Sequence, residues 1–151
     1  MKKVLMILIV LLAVVSMGAF AQITDTATLF LSGTVGNYVS ITVTPNASAT
    51  SLALAAGQSS PLQVATVTET SNTSYTVTAS SANSFNFTDG TDNLPYTLYY
   101  DGSPVASGTP VASGSSASGV SRPVSVTFPA APTSATTGTY SDTVTFTISA
   151  P

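Results

Sequence analysis

Between positions 140 and 148 the chain alternates: Tyr140, Val144, Phe146 and Ile148 fall on one face, and Thr143, Thr145 and Thr147 on the other. A period of two marks a strand with one buried and one wet face. Val39, Ile41 and Val43 alternate in the same way with Ser40, Thr42 and Thr44. Tyr75, Val77 and Ala79 alternate with Thr76 and Thr78, and Val124, Val126 and Phe128 form a further set. No stretch carries a convincing helical period; residues 52–56 (LALAA) are the only helix-friendly run, and it is short. Turn signals are frequent: Pro45-Asn46, Ala56-Gly57, Asp89-Gly90, Asp101-Gly102, the run 129–132 and Thr137-Gly138. Many short strands at such spacing predict an antiparallel β-sandwich.

Two segments break the rhythm. Residues 102–119 turn low-complexity, and Pro-Val-Ala-Ser-Gly occurs at 104–108 and again at 110–114. This reads as a short strand or hairpin followed by a flexible surface loop. Residues 1–21 (MKKVLMILIVLLAVVSMGAFA) place two lysines before an apolar run of about 14 residues and end on Ala19-Phe20-Ala21. That is the pattern of a secretory signal peptide. The run is short of the roughly 20 residues that span a bilayer. Cleavage leaves a chain starting at Gln22, and no later segment is apolar enough to span a membrane.

Composition then narrows the chemistry. The chain has no His, Cys or Trp, and its only cations are Lys2, Lys3 and Arg122. After cleavage one cation, Arg122, faces six acids (Asp25, Glu69, Asp89, Asp92, Asp101 and Asp142), a formal net charge of −5. One arginine cannot neutralise a run of phosphates, which argues against nucleic acid. Zinc, haem and iron–sulfur sites lack their usual ligands, and nucleophilic triads lack their base. No cofactor and no catalysis are expected. Export permits disulfides, yet this chain has none; it forgoes about 2–4 kcal/mol per bridge. Burial and strand pairing must hold it, with or without another subunit.

Each remaining cluster has an ordinary reading. Asp89-Gly90-Thr91-Asp92-Asn93 offers oxygens to a calcium ion, but Asp and Asn also make turns, and a turn is the favoured reading. Nothing places those acids across a cleft as a glycosidase pair. Glu69 and Asp142 are expected to be exposed strand or turn residues. The sequons at Asn46, Asn72 and Asn86 are read as chance in a chain about one third Ser and Thr. Tyr96, Tyr99 and Tyr100 invite a sugar-stacking reading, but alternation puts Tyr96, Leu98 and Tyr100 on the core face and Tyr99 opposite.

Residues 22–35 (QITDTATLFLSGTV) form one extended run in which Ile23, Ala27, Leu29, Leu31 and Val35 share a face, with Asp25 as the polar exception. Ten such residues extend roughly 33 Å, against about 17–20 Å for a typical strand. An ordinary first strand is one reading. The other is a strand that leaves its own domain and completes a neighbour's sheet. A sandwich short of one strand exposes an apolar groove and unpaired backbone. Four aliphatic side chains buried there contribute roughly 6–12 kcal/mol gross. Head-to-tail repetition gives an open fibre.

Three places resemble the spore coat protein U domain family, the pilins of archaic chaperone–usher fimbriae. Leu31-Ser32-Gly33-Thr34-Val35 leading to Tyr38-Val39-Ser40 looks like the family's opening strand. Leu94-Pro95-Tyr96-Thr97-Leu98-Tyr99-Tyr100-Asp101 is similar to its central strand. Gly138-Thr139-Tyr140-Ser141-Asp142-Thr143-Val144-Thr145-Phe146-Thr147 is close to its terminal pattern, with Gly138, Tyr140, Asp142 and Thr143 at the family's spacing. The family's cysteines are absent; Tyr38 or Asn37, and Glu69, stand in their places.

The resemblance implies an all-β fold: an incomplete immunoglobulin-like antiparallel sandwich completed by a donor strand from a neighbouring subunit. It implies a signal peptide over 1–21, a donor strand over 22–32 and a pilin domain over 33–151. Ile23, Ala27, Leu29 and Leu31 would enter a neighbour's groove lined partly by Val144, Phe146 and Ile148. The implied partners are identical or related pilin subunits, a periplasmic chaperone and an outer-membrane usher, with membrane contact only through the usher. The protein would pass through the periplasm to the cell surface. The rival expectation is a self-complete surface sandwich acting as an adhesin or coat component, its first strand paired within its own chain.

Overall fold

The computed structural model describes residues 24–151. The signal peptide, Gln22 and the donor residue Ile23 lie outside the described residues. The chain divides into two units at Thr34 and Val35. In the first, residues 24–34 form no strand and are exposed throughout.

The second unit, Val35–Pro151, is built of antiparallel strands with almost no helix. Strands β1 (Val39–Pro45), β2 (Gln58–Ser71), β9 (Ala117–Phe128), β6 (Thr97–Tyr100) and β7 (Ser103–Pro104) form a five-stranded sheet in that order. Strands β10 (Val144–Ser149), β3 (Tyr75–Ser81) and β8 (Pro110–Gly114) form a second sheet, and β4 (Asn86–Thr88) pairs with β5 (Asn93–Pro95). β1 and β10 are therefore sheet edges, each with one side unpaired. Among the described residues the only helical element is a 3₁₀ turn, Ala47–Thr50. It forms just ahead of the LALAA run, which itself makes turns.

The threonines explain the strands. On β3, Tyr75, Val77 and Ala79 are buried and Thr76 and Thr78 half-covered. On β9, Val124, Val126 and Phe128 are buried in alternation with Ser125 and Thr127. These rows, Ala79 aside, make one core with Ala65 and Val67 of β2 and Leu98 and Tyr100 of β6, drawn from both larger sheets. Phe87 stacks on Tyr96 at 4.4 Å between ring centroids and meets Phe128 edge-on at 5.7 Å.

Residues 102–119 contain the expected short strand and carry more strand than the loop expected after it. They hold β7, β8 and the start of β9. The first Pro-Val-Ala-Ser-Gly copy runs from β7 into a turn, while the second is β8 itself and pairs with β3. Within β8, Gly114 is small because Tyr75 lies against it. A Cβ on Gly114 would sit 2.9 Å from the Tyr75 ring, inside van der Waals contact.

Candidate functional site: an uncovered apolar groove

Val144, Phe146 and Ile148 point inward from β10 but are only half-buried, and Thr145 and Thr147 are exposed. Their partners on β3 differ. Phe146 pairs with Ala79 and Ile148 with Val77, and both partners are fully buried. The cause is position: β3 has a strand on each side and β10 has one. β1 repeats the pattern, with Val39 and Ile41 half-buried and Val43 43% exposed.

The two edges border one cavity of about 320 Å³. Val43 and Pro45 of β1 line it from one side and Val144 and Phe146 of β10 from the other. Leu52, Ala65, Leu98, Val124 and Val126 also line it. Ile148 is not among the lining residues; it packs on the core beyond. The groove is apolar, runs beside unpaired backbone, and carries one charged side chain, Asp142. Such a surface suits an extended apolar segment that supplies side chains and main-chain hydrogen bonds together.

The donor residues among the described ones, Ala27, Leu29 and Leu31, belong to no strand. Ala27 is exposed, and Leu29 and Leu31 are each 81% exposed. Phe30, on the opposite face, is exposed as well.

Asp142 is not the exposed residue its polarity suggests. It is half-buried and collects donors: Ser81 Oγ and Tyr96 OH each at 2.6 Å, and the backbone N–H groups of Asn83 and Thr143 at 3.0 and 2.7 Å. Burial pushes its carboxyl upward, but these donors outweigh burial and hold it below the usual carboxylate range. The Tyr96 hydroxyl is pushed up first by burial and then by its bond to Asp142. Tyr96 thus stays a donor and fastens the approach to β10 against the core.

Glu69 is the larger correction. It is fully buried on β2, in phase with Ala65 and Val67. Tyr75 OH donates to its Oε2 at 2.7 Å and Tyr100 OH donates to its Oε1. Arg122 Nε lies 3.7 Å from Oε1, and the same guanidinium donates to Asp101 at 2.6 Å. Burial, then the carboxylate, raises both tyrosine hydroxyls. Glu69 pairs across the β1–β2 ladder with Ile41, whereas Tyr38 N donates to Asn72. The two positions read as standing for the family's cysteines are therefore not opposite one another.

The remaining motif residues act locally. Tyr96, Leu98 and Tyr100 are buried and Tyr99, on the other face, is half-covered. Asp101 and Gly102 both take positive φ, 51° and 79°, and make the β6–β7 turn. Tyr140 OH donates to Thr136 O at 2.8 Å, and Gly138 lies beside Asp89. The Asp89–Asp92 loop is a turn. Asp89 accepts the N–H groups of Thr91 and Asp92 at 2.9 and 2.8 Å, and Thr136 N donates to Asp92 at 2.7 Å. Among the described residues no three His, Cys, Asp or Glu side chains converge as metal ligands. Each sequon amide donates to backbone: Asn46 to Gln63, Asn72 to Gly36, Asn86 to Asn83 and Ser84.

A second cavity, of about 440 Å³, lies at the ends of β2, β6 and β9, bounded by Gln58, Tyr96, Thr127 and Phe128 among others. No charged side chain lines it and neither open sheet edge borders it. No helix among the described residues is long and apolar enough to cross a membrane. No protein family, curated protein or solved structure matches this chain.

Proposed function

We propose that this protein is a structural subunit of a secreted surface fibre and polymerises head-to-tail by donor-strand complementation. In this reading the two larger sheets are the halves of an incomplete immunoglobulin-like sandwich. Residues 22–32 of one subunit enter the groove between β1 and β10 of the next. A chaperone occupies that groove during passage through the periplasm, and an outer-membrane usher exchanges it for the donor strand. The resemblance to spore coat protein U pilins supports the same reading.

One observation carries it. The chain pairs an unfilled apolar groove with an extended apolar segment that belongs to no sheet. Val144 and Phe146 lose only part of their contact with water, and Leu29 and Leu31 lose almost none. Exposed apolar rows of this kind are costly unless a partner covers them. A head-to-tail exchange covers both at once and cannot close on itself. No step requires catalysis or a cofactor.

The test is thermal unfolding of the chain lacking residues 22–31, with and without those residues as a free peptide. A peptide that raises the melting temperature by many degrees supports the groove. A truncated chain that melts cooperatively and ignores the peptide identifies a self-complete surface sandwich instead.

A further inference from the structure

Phe146 of the groove wall rests on Tyr100, with ring centroids 5.6 Å apart and planes tilted by 39°. Tyr100 comes from β6 of the other sheet, and its hydroxyl ends on Glu69. Tyr75, from β3, reaches the same carboxylate at 2.7 Å. The carboxylate therefore ties a tyrosine from each sheet to one point, and one of those tyrosines is the floor beneath Phe146. Arg122 Nε, 3.7 Å from Glu69, is buried and makes no hydrogen bond; its charge faces the carboxylate while Asp101 takes its outer N–H. Tyr75, Tyr100 and Arg122 are the titratable groups that contact Glu69.

We propose that Glu69 is a positioning residue for the strand-accepting groove: it locks Tyr100 under Phe146 and so sets the width of the groove between β10 and β1. This deepens the fibre reading and rests on it. An apolar residue at position 69 would fill space but leave both hydroxyls unpaired in the core, where each must find an acceptor. A tyrosine without its anchor can tilt, and the half-buried Phe146 has a neighbouring strand, β3, on one side only. A row held at one spacing accepts alternate side chains of a strand; a row free to shift releases them sooner.

The experiment uses the full secreted chain, residues 22–151, and a fluorescent peptide of residues 22–33. Release of bound peptide is timed after dilution into excess unlabelled peptide. Tyr100→Phe keeps the ring and removes only its hydroxyl; Glu69→Gln keeps the shape and removes the charge. Val111→Ala on β8, at the far edge of the sheet from β10, controls for loss of stability alone. The expected result is release about tenfold faster in Tyr100→Phe and Glu69→Gln than in Val111→Ala at a matched loss of melting temperature. Equal release from all three would overturn the positioning role. If Glu69→Gln does not fold, Tyr100→Phe decides alone. Wild-type chain that takes up no peptide and forms no multimers would instead sink the groove reading, and this proposal with it.

Discussion

Tyr96 OH donates to Asp142 Oδ2 at 2.6 Å, although 46 positions separate the two residues. The bond ties the buried residue just ahead of β6 to the segment that enters β10. Ser81 joins the same oxygen from the end of β3. Asp142→Ala leaves the half-buried Ser81 hydroxyl and the buried Tyr96 hydroxyl without their acceptor. We expect a loss of about 1–3 kcal/mol, measured by urea unfolding. Tyr96→Phe in the Asp142→Ala background should cost little more, since the two changes break one bond.

Acid should destabilise the protein through its turn carboxylates. Asp89 is held at about 2, first by the backbone N–H of Asp92, then by the Thr136 hydroxyl and the N–H of Thr91. Asp92 is lowered by Thr136, and Asp142 by its donors against the effect of burial. An unfolded Asp titrates near 3.9, so between roughly pH 4 and pH 2 the unfolded chain binds protons that the folded chain does not. Their stabilisation is fully present above that window and disappears as pH falls through it. Melting temperature against pH should bend downward there. Asp89→Asn should shallow the bend, and an unchanged curve would refute the assignment.

The buried network should be non-additive. Glu69→Met strands two tyrosine hydroxyls, at a cost of about 1–3 kcal/mol each. Adding Tyr75→Phe and Tyr100→Phe removes the stranded groups. The triple variant should be more stable than Glu69→Met alone, because the two stranded hydroxyls are gone while Arg122 keeps its bond to Asp101. Denaturant midpoints of the variants settle the order.

Gly57 has φ +72°, and a Cβ there would lie 2.5 Å from Ala130 N. Gly119 has φ +66° but open space around it. Gly57→Ala should therefore cost about 2–4 kcal/mol, backbone strain plus a clash, and Gly119→Ala about 1–2 kcal/mol. Thermal melts of the pair separate strain from contact.

Leu29→Asp and Leu31→Asp should leave the melting temperature of the isolated subunit within a degree or two, since both side chains are exposed. They should abolish multimers in the proposed fibre. Sedimentation of the wild type and the double variant under assembly conditions reads the difference.

Much of this architecture was legible because Thr and Ser alternate with Val, Ile and Phe. β1, β3, the end of β9 and β10 stand out by that period alone. Residues 102–119 read only as an unplaced short strand or hairpin before a loop, since Pro110, Ala112 and Gly114 carry little hydrophobic signal and Gly114 is small to admit Tyr75. Glu69 and Asp142 were misplaced by their charge, though their phase was available. Glu69 follows Ala65 and Val67 at intervals of two, and Asp142 precedes Val144 and Phe146 in the same way. Register outweighed polarity at both because hydroxyl donors wait on the inside. The groove could be expected from sequence only as a missing strand; its borders depended on which strands end up at the edges.

Arg122 sits in β9 directly before Pro123, and no lysine follows Lys3. Trypsin does not readily cut an Arg–Pro bond, so a chain processed to residues 22–151, as proposed, presents it with no cleavable site, folded or unfolded. Amine-directed cross-linkers and aldehyde fixatives would meet only the terminus of that processed chain, and cyclisation of Gln22 would remove even that. A surface coated with this protein would be nearly invisible to tryptic peptide mapping and to lysine labelling. Pepsin or chymotrypsin, cutting at its Tyr, Phe and Leu residues, is the protease to use.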